Sequence, residues 1–169
     1  ELKSLIEAAF DQPEKTDPLS DSIKKATAEV IARLDCGELS VVDRANDWSV
    51  NEWVKKAILL YFRQRQMSVI EVGDFRYVDK LPVQQWKGDE GVRVVPQAIA
   101  RYGSFISKGA ILMPSYVNIG AFVGAGTMVD TWATVGSCGY VGANVQLSGG
   151  VGIGGVLEPV QAKPVIIED

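Results

Sequence analysis

Between Val117 and Ile153 an aliphatic side chain recurs at every sixth position: Val117, Val123, Val129, Val135, Val141, Leu147 and Ile153. If roughly a third of positions are aliphatic, chance produces such a run about once in two thousand registers. The period excludes both ordinary regular structures. Six residues turn an α-helix through about 600°, which scatters the hits around its circumference. A plain strand asks for alternation at two, without a glycine every few residues. The positions four further on, Ala121, Thr127, Ala133, Gly139, Val145, Val151 and Leu157, are mostly small. Those directly after the aliphatics, Asn118, Gly124, Asp130, Gly136, Gly142, Ser148 and Gly154, suit tight turns. Val94, Ala100, Ile106 and Leu112 carry the same spacing upstream, one residue out of register, with the slip between Leu112 and Val117. The pattern predicts a three-sided prism in which each hexad is one flat side, its aliphatic residue points inward and its turn residue rounds the corner.

Solenoids of this hexapeptide class are left-handed parallel β-helices. That handedness comes from the fold class and departs from the usual right-handed crossover. Ahead of the repeats the periodicity is helical. Leu2, Leu5, Ile6, Ala9 and Phe10 share one face of a first helix. Asp17-Pro18 suits the cap and first turn of a second, whose buried side is Ile23, Ala26, Val30, Ile31 and Leu34 and whose end is Gly37. Residues 39–50 predict a short hairpin turning at Arg44-Ala45-Asn46-Asp47. Asn51 begins a third helix with Val54, Ala57, Ile58, Tyr61 and Phe62 inward. Residues 67–90 are expected to be a connector holding one strand. The division is therefore a mainly α-helical domain over 1–90 and a β-helix over 91–169.

Composition narrows the chemistry. A net charge of −4 argues against nucleic acid as a partner. The longest apolar stretches fall well short of a membrane span. Cys36 and Cys138 lie in segments of different character and are expected to be free thiols. The chain has no histidine, which removes Ser-His-Asp and Cys-His schemes and histidine-ligated zinc from its own residues. Gly150-Val151-Gly152-Ile153-Gly154-Gly155 matches a dinucleotide fingerprint, but the period of six runs through it and Leu157-Glu158-Pro159 follows, so no helix is expected there.

The wording of the repeats is more specific than their period. Met113-Pro114-Ser115-Tyr116-Val117-Asn118-Ile119-Gly120-Ala121 resembles a signature stretch of the tetrahydrodipicolinate N-succinyltransferases. So do the block from Gly126-Thr127-Met128-Val129-Asp130-Thr131-Trp132 to Cys138 and the block from Leu147-Ser148-Gly149-Gly150 to Pro159. Arg93-Val94-Val95-Pro96 and Trp53-Val54-Lys55-Lys56-Ala57 are similar to that family as well. The resemblance implies a cytoplasmic homotrimer that moves a succinyl group from succinyl-CoA, its co-substrate, to the nitrogen of tetrahydrodipicolinate in lysine and diaminopimelate biosynthesis. It implies no tightly bound cofactor, no metal, and active sites between neighbouring subunits. Members of the family continue well past the point where this sequence stops, so the chain is expected to be a C-terminally incomplete piece, impaired by itself, without a second catalytic glutamate and most of the CoA contacts.

Asp130 falls on the family's active-site aspartate, where its carboxylate accepts a hydrogen bond from the attacking nitrogen and orients it; the same residue type also fits a plain turn. Arg93 falls on a substrate-binding arginine, whose guanidinium suits a dicarboxylate, and is also compatible with a surface role. Arg101 is a weaker candidate for the same task. Trp132 is expected either to line the cleft or to cover a coil, and Cys138 to be a packing residue, since direct acyl transfer needs no thiol. The rival readings are another hexapeptide acyl-CoA transferase, which would generally use a histidine base, and a non-catalytic trimerisation scaffold.

Overall fold

The computed structural model describes all residues, Glu1–Asp169. Helices α1 (Leu2–Asp11), α2 (Asp21–Asp35) and α3 (Glu52–Gln64) pack on one another. Their apolar stripes meet in a core of Ile6, Ala9, Ile23, Val30, Ile31, Leu34, Val54, Ile58 and Leu60, among others. The second helix starts later than its sequence predicts. Asp17 Oδ1 accepts the Leu19 amide at 2.9 Å, closing a separate turn, and Ser20 becomes the residue before the helix. Between α2 and α3, strands β1 (Val42–Asp43) and β2 (Ser49–Val50) pair antiparallel around a 3₁₀ turn at Arg44–Asn46, as the sequence indicates.

The connector holds two strands rather than one. β3 (Ser68–Val72) and β4 (Phe75–Asp79) form a hairpin across Gly73-Asp74, and Gly73 has φ +58°. Two β-branched and aromatic runs around a Gly-Asp pair are the local signal for such a turn.

From Arg93 onward the chain is a parallel solenoid with three four-stranded faces. The first face stacks β5 (Arg93–Val94), β8 (Ile111–Leu112), β11 (Met128–Val129) and β14 (Gln146–Leu147). The second stacks β6 (Ile99–Ala100), β9 (Tyr116–Val117), β12 (Thr134–Val135) and β15 (Gly152–Ile153). The third stacks β7 (Phe105–Ile106), β10 (Phe122–Val123), β13 (Tyr140–Val141) and β16 (Ile166–Ile167). This fits the left-handed β-helix expected from the repeats.

Partners across coils are eighteen residues apart, three hexads, as in Val117↔Val135 and Val129↔Leu147, except in the last pair, Val141↔Ile167, which a longer loop before β16 sets twenty-six apart. Where a pair spans the slip the offset is seventeen, as in Leu112↔Val129 and Ala100↔Val117. The second residue of each strand from β6 to β15 points inward, and these side chains together with Ala110, Ala121 and Ala133 form the prism core.

The corners lie elsewhere than expected. Left-handed backbone occurs at Gly120, Gly126, Trp132, Cys138, Asn144 and Gly150, three residues after each aliphatic from Val117 to Leu147 and not one. The glycines directly after the aliphatics serve a different purpose. A Cβ on Gly124 would strike Gly142, and one on Gly136 would strike Gly155, so glycine at these positions lets successive coils approach. No helix follows Gly150, in agreement with rejecting the nucleotide fingerprint.

The helical region packs on the solenoid through shared side chains. Ile119 and Cys138 belong to the helical core. Asp35, near the end of α2, accepts the Gly103 amide at 2.7 Å and the Gln84 side-chain amide through the same oxygen. Lys55 is fully buried and donates to the Ala162 carbonyl at 2.6 Å, tying α3 to the loop before β16. On the third face Phe105, Phe122 and Tyr140 stack at 5.2 and 4.5 Å between centroids, and Trp48 meets Tyr140 edge-on at 4.9 Å.

Candidate functional site

Asp130 directly follows the inward Val129 of β11, so the backbone turns its side chain out of the first face at the entrance to a corner. Its own amide donates to the Leu147 carbonyl of the next coil at 3.2 Å. The carboxylate is fixed on one side only. Oδ1 accepts the Thr131 amide at 2.6 Å and the Thr131 hydroxyl at 3.2 Å, while Oδ2 has no hydrogen-bond partner. Half-buried and held by one oxygen, the group presents the other to whatever occupies the face. The turn reading and the acceptor reading are thus compatible: one oxygen serves each.

Arg93 lies on the same face, on β5, two strands from β11. Two inter-strand steps are about 10 Å. Its guanidinium is exposed and makes no hydrogen bond or ion pair within the chain. Ile111, Met113 and Met128 stand between the two residues, all partly exposed, so the face offers an apolar strip with a free cation at one end and a carboxylate oxygen at the other.

Arg101, the weaker candidate, is committed elsewhere. It pairs with Asp79 at 2.9 Å, contacts Asn118 Oδ1 at 3.4 Å and lies over the Phe62 ring, bracing the β3–β4 hairpin against the second face. It borders an apolar groove of about 590 Å³ that includes neither Asp130 nor Arg93. Cys138 is packed between solenoid and helices, and burial pushes its thiol up to about 12, far from the thiolate that nucleophilic chemistry needs. Both cysteines are free.

Two features beside Asp130 go beyond its sequence-based assignment. One is Thr131, whose two donors hold Oδ1; a hydroxyl neighbour is visible in the sequence but its direction is not. The other is Trp132, the next corner residue. It adopts φ +61°, a conformation that costs a bulky L-residue about 1–2 kcal/mol, and it is 68% exposed. The corner is pinned from both neighbouring coils, by Trp132 N donating to the Pro114 carbonyl at 2.6 Å and Gly150 N donating to the Thr131 carbonyl at 2.9 Å.

Residues 1–64 match the family model described as tetrahydrodipicolinate N-succinyltransferase N-terminal. The whole chain is similar to curated proteins named 2,3,4,5-tetrahydropyridine-2,6-dicarboxylate N-succinyltransferase. The one from Idiomarina loihiensis is 51% identical over 99% of this chain and 65% of its own length. The one from Methylobacillus flagellatus is 53% identical over the same shares. The one from Acinetobacter baylyi is 50% identical over all of this chain and 65% of its own length. The chain thus spans about 65% of the length of the curated relatives it matches.

Proposed function

Because this chain belongs to the tetrahydrodipicolinate N-succinyltransferase family, we propose that it serves in the transfer of a succinyl group from succinyl-CoA to the nitrogen of tetrahydrodipicolinate. The observation that carries the reading is Asp130. It stands in the sequence block shared with the family, on an outer face, with one carboxylate oxygen held by Thr131 and the other free.

Water adds across the imine of the cyclic acceptor and the ring opens to an amino-oxo dicarboxylate. The amine nitrogen attacks the thioester carbonyl, the C–N bond forms, the C–S bond breaks, and the products are N-succinyl-2-amino-6-oxopimelate and free CoA thiol. Asp130 Oδ2 accepts a hydrogen bond from the nitrogen, aims its lone pair at the carbonyl, takes up the proton released as the amide forms and passes it to the departing CoA sulfur. Thr131 keeps Oδ1 engaged, so the carboxylate cannot rotate its free oxygen away. Arg93 pairs with an acceptor carboxylate, a role its unpartnered guanidinium suits.

One face of a convex prism gives no enclosure, and acyl transfer competes with hydrolysis unless water is excluded. The proposal therefore includes a homotrimer in the cytoplasm, in which a second copy forms the other wall. No helix of the chain is long and apolar enough to cross a membrane.

The test is the release of CoA thiol by the protein carrying this chain, with tetrahydrodipicolinate and either succinyl-CoA or acetyl-CoA. Asp130→Asn is expected to lower kcat about 10²–10⁴-fold with the succinyl-CoA KM unchanged. Arg93→Ala is expected to raise the acceptor KM about 10–100-fold. An Asp130→Asn variant that retains wild-type turnover removes the mechanism; a preference for acetyl-CoA removes the succinyl assignment.

A further inference from the structure

Among the corner positions from Gly120 onward one member is anomalous; upstream the smaller Gln97 is also exposed at φ +76°. At steps of six from Gly120 the left-handed residues are Gly120, Gly126, Trp132, Cys138, Asn144 and Gly150. Glycine and asparagine are expected there, because they tolerate positive φ. Cys138 is compensated by burial in the helical core. Trp132 has no such compensation: its ring stacks on no other aromatic ring, its indole N–H has no acceptor, and it is the most exposed of the large apolar side chains. A strained, bulky, solvent-facing residue gains nothing from its own coil, and conformations of this kind concentrate where a ligand is met.

Its surroundings indicate which ligand. Trp132 is two residues beyond Asp130, so their backbones are about 7 Å apart at most. In the coil above, Gly149 and Gly150 stack over Thr131, and a side chain at Gly150 would find nothing within 4 Å. The space beyond Gly150 is therefore open, and the corner beside it carries an exposed indole with the free Asp130 oxygen two residues back. An exposed indole close to a free carboxylate oxygen suits a small ring that donates an N–H to the carboxylate and lays its methylene carbons on the indole.

Resting on the acyltransferase reading above, we propose that Trp132 is a binding residue for the acceptor, covering the methylene side of its hydrated ring before that ring opens, while Asp130 accepts a hydrogen bond from the ring N–H. The left-handed corner sets the indole in place before the acceptor arrives, so little side-chain ordering is left to binding. The acyl-CoA donor does not depend on it.

The experiment uses Trp132→Gly and Trp132→Phe in the protein carrying this chain, with dipicolinate (pyridine-2,6-dicarboxylate) as a flat, unreactive probe of the acceptor site. Trp132→Gly relieves the backbone strain, so its Tm is expected to match or exceed that of the wild type, with unchanged assembly mass. Its dipicolinate Kd and its acceptor KM are both expected to rise about 10–100-fold, the loss corresponding to one buried aromatic face. The acyl-CoA KM stays within twofold, and Trp132→Phe recovers most of the binding. Dipicolinate affinity in Trp132→Gly within twofold of wild type overturns the proposal, as does failure of the wild type to bind dipicolinate saturably. A shift in the donor KM in place of the acceptor KM, or a fall in assembly mass, also overturns it, because the indole then faces CoA or a second copy. A wild-type protein that binds dipicolinate through Trp132 yet turns over no acyl-CoA sinks the activity reading and leaves this one standing.

Discussion

The helical region and the solenoid bury apolar side chains equally well but reach that state by different rules. In the helices a stripe at 3.6-residue spacing is sufficient, and the core tolerates a range of shapes because helices can shift against one another. In the solenoid each coil is fixed to the next by backbone ladders at about 4.8 Å, so the spacing between coils cannot relax. Glycine has a steric duty there that nothing in the helices matches. A backbone laid directly over Gly124 or Gly136 leaves no room for a methyl group.

The sharpest way to break this comparison is to place the same methyl group at two kinds of solenoid glycine. Gly136→Ala would press a Cβ into the backbone of Gly155 and against the Ile153 carbonyl oxygen. It is expected to cost about 3–5 kcal/mol in urea unfolding, at the upper end of single-substitution effects, since backbone and not a flexible side chain must move. Gly150→Ala meets nothing within 4 Å and pays only for its φ of +76°, about 1 kcal/mol. Equal costs at the two sites would show that corner conformation, not coil contact, dictates glycine in this solenoid.

The boundary between the regions gives a second, somewhat smaller test. Ile31 of α2 and Ile119 of the solenoid both lie against Gly103 and are fully buried in one core. Ile31→Ala and Ile119→Ala are each expected to cost about 2–5 kcal/mol. If the regions form one cooperative unit, the double variant departs from additivity by about 0.5–3 kcal/mol, as residues in contact do. Additive costs and two separate unfolding transitions would mean that the helices and the prism fold independently.

The same contrast explains what could be read in advance. The period of six defined the faces, the inward residues and the slip between Leu112 and Val117, because a fixed repeat leaves every coil the same steric problem. The corner lies two residues beyond the position the pattern suggests because Asn, Gly, Asp and Ser suit turns wherever they stand, and composition alone does not separate positive φ from close approach. Only one strand of the β3–β4 hairpin is legible in the sequence because the pair lacks a buried face to impose alternation: Val69, Val72, Phe75 and Val78 are all more than half exposed. At the candidate site, Asp130 and Arg93 were identified from their sequence blocks, and the structure adds that they share a face two strands apart. The hold of Thr131 on Oδ1 and the posture of Trp132 depend on side-chain direction and backbone φ, which no residue pattern encodes. Arg101 had the same chemistry as Arg93, but only the packing of the hairpin reveals that Asp79 already holds it.

The mildest test concerns the polar contact that joins the two regions. Burial raises the Asp35 carboxyl above its ordinary value of 3.8, while hydrogen bonds from the Gly103 amide and the Gln84 side chain pull the other way and only partly offset it. A carboxyl raised by folding holds its proton more tightly in the folded than in the unfolded state. Stability from this group is therefore fully present below the unfolded value and is lost as pH rises through the folded one. Asp35→Asn keeps a carbonyl oxygen to accept both hydrogen bonds and removes the titration. The variant is expected to lack the decline that the wild type shows from about pH 4 upward. At neutral pH it should be more stable by less than about 1 kcal/mol, a small figure because the site is only half-buried and solvent screens it. Urea midpoints measured from pH 4 to pH 7 would decide the matter. Parallel profiles for the two proteins would mean that the joint between α2 and the solenoid holds its charge at no cost, and that the hydrogen bonds from Gly103 and Gln84 fully offset burial.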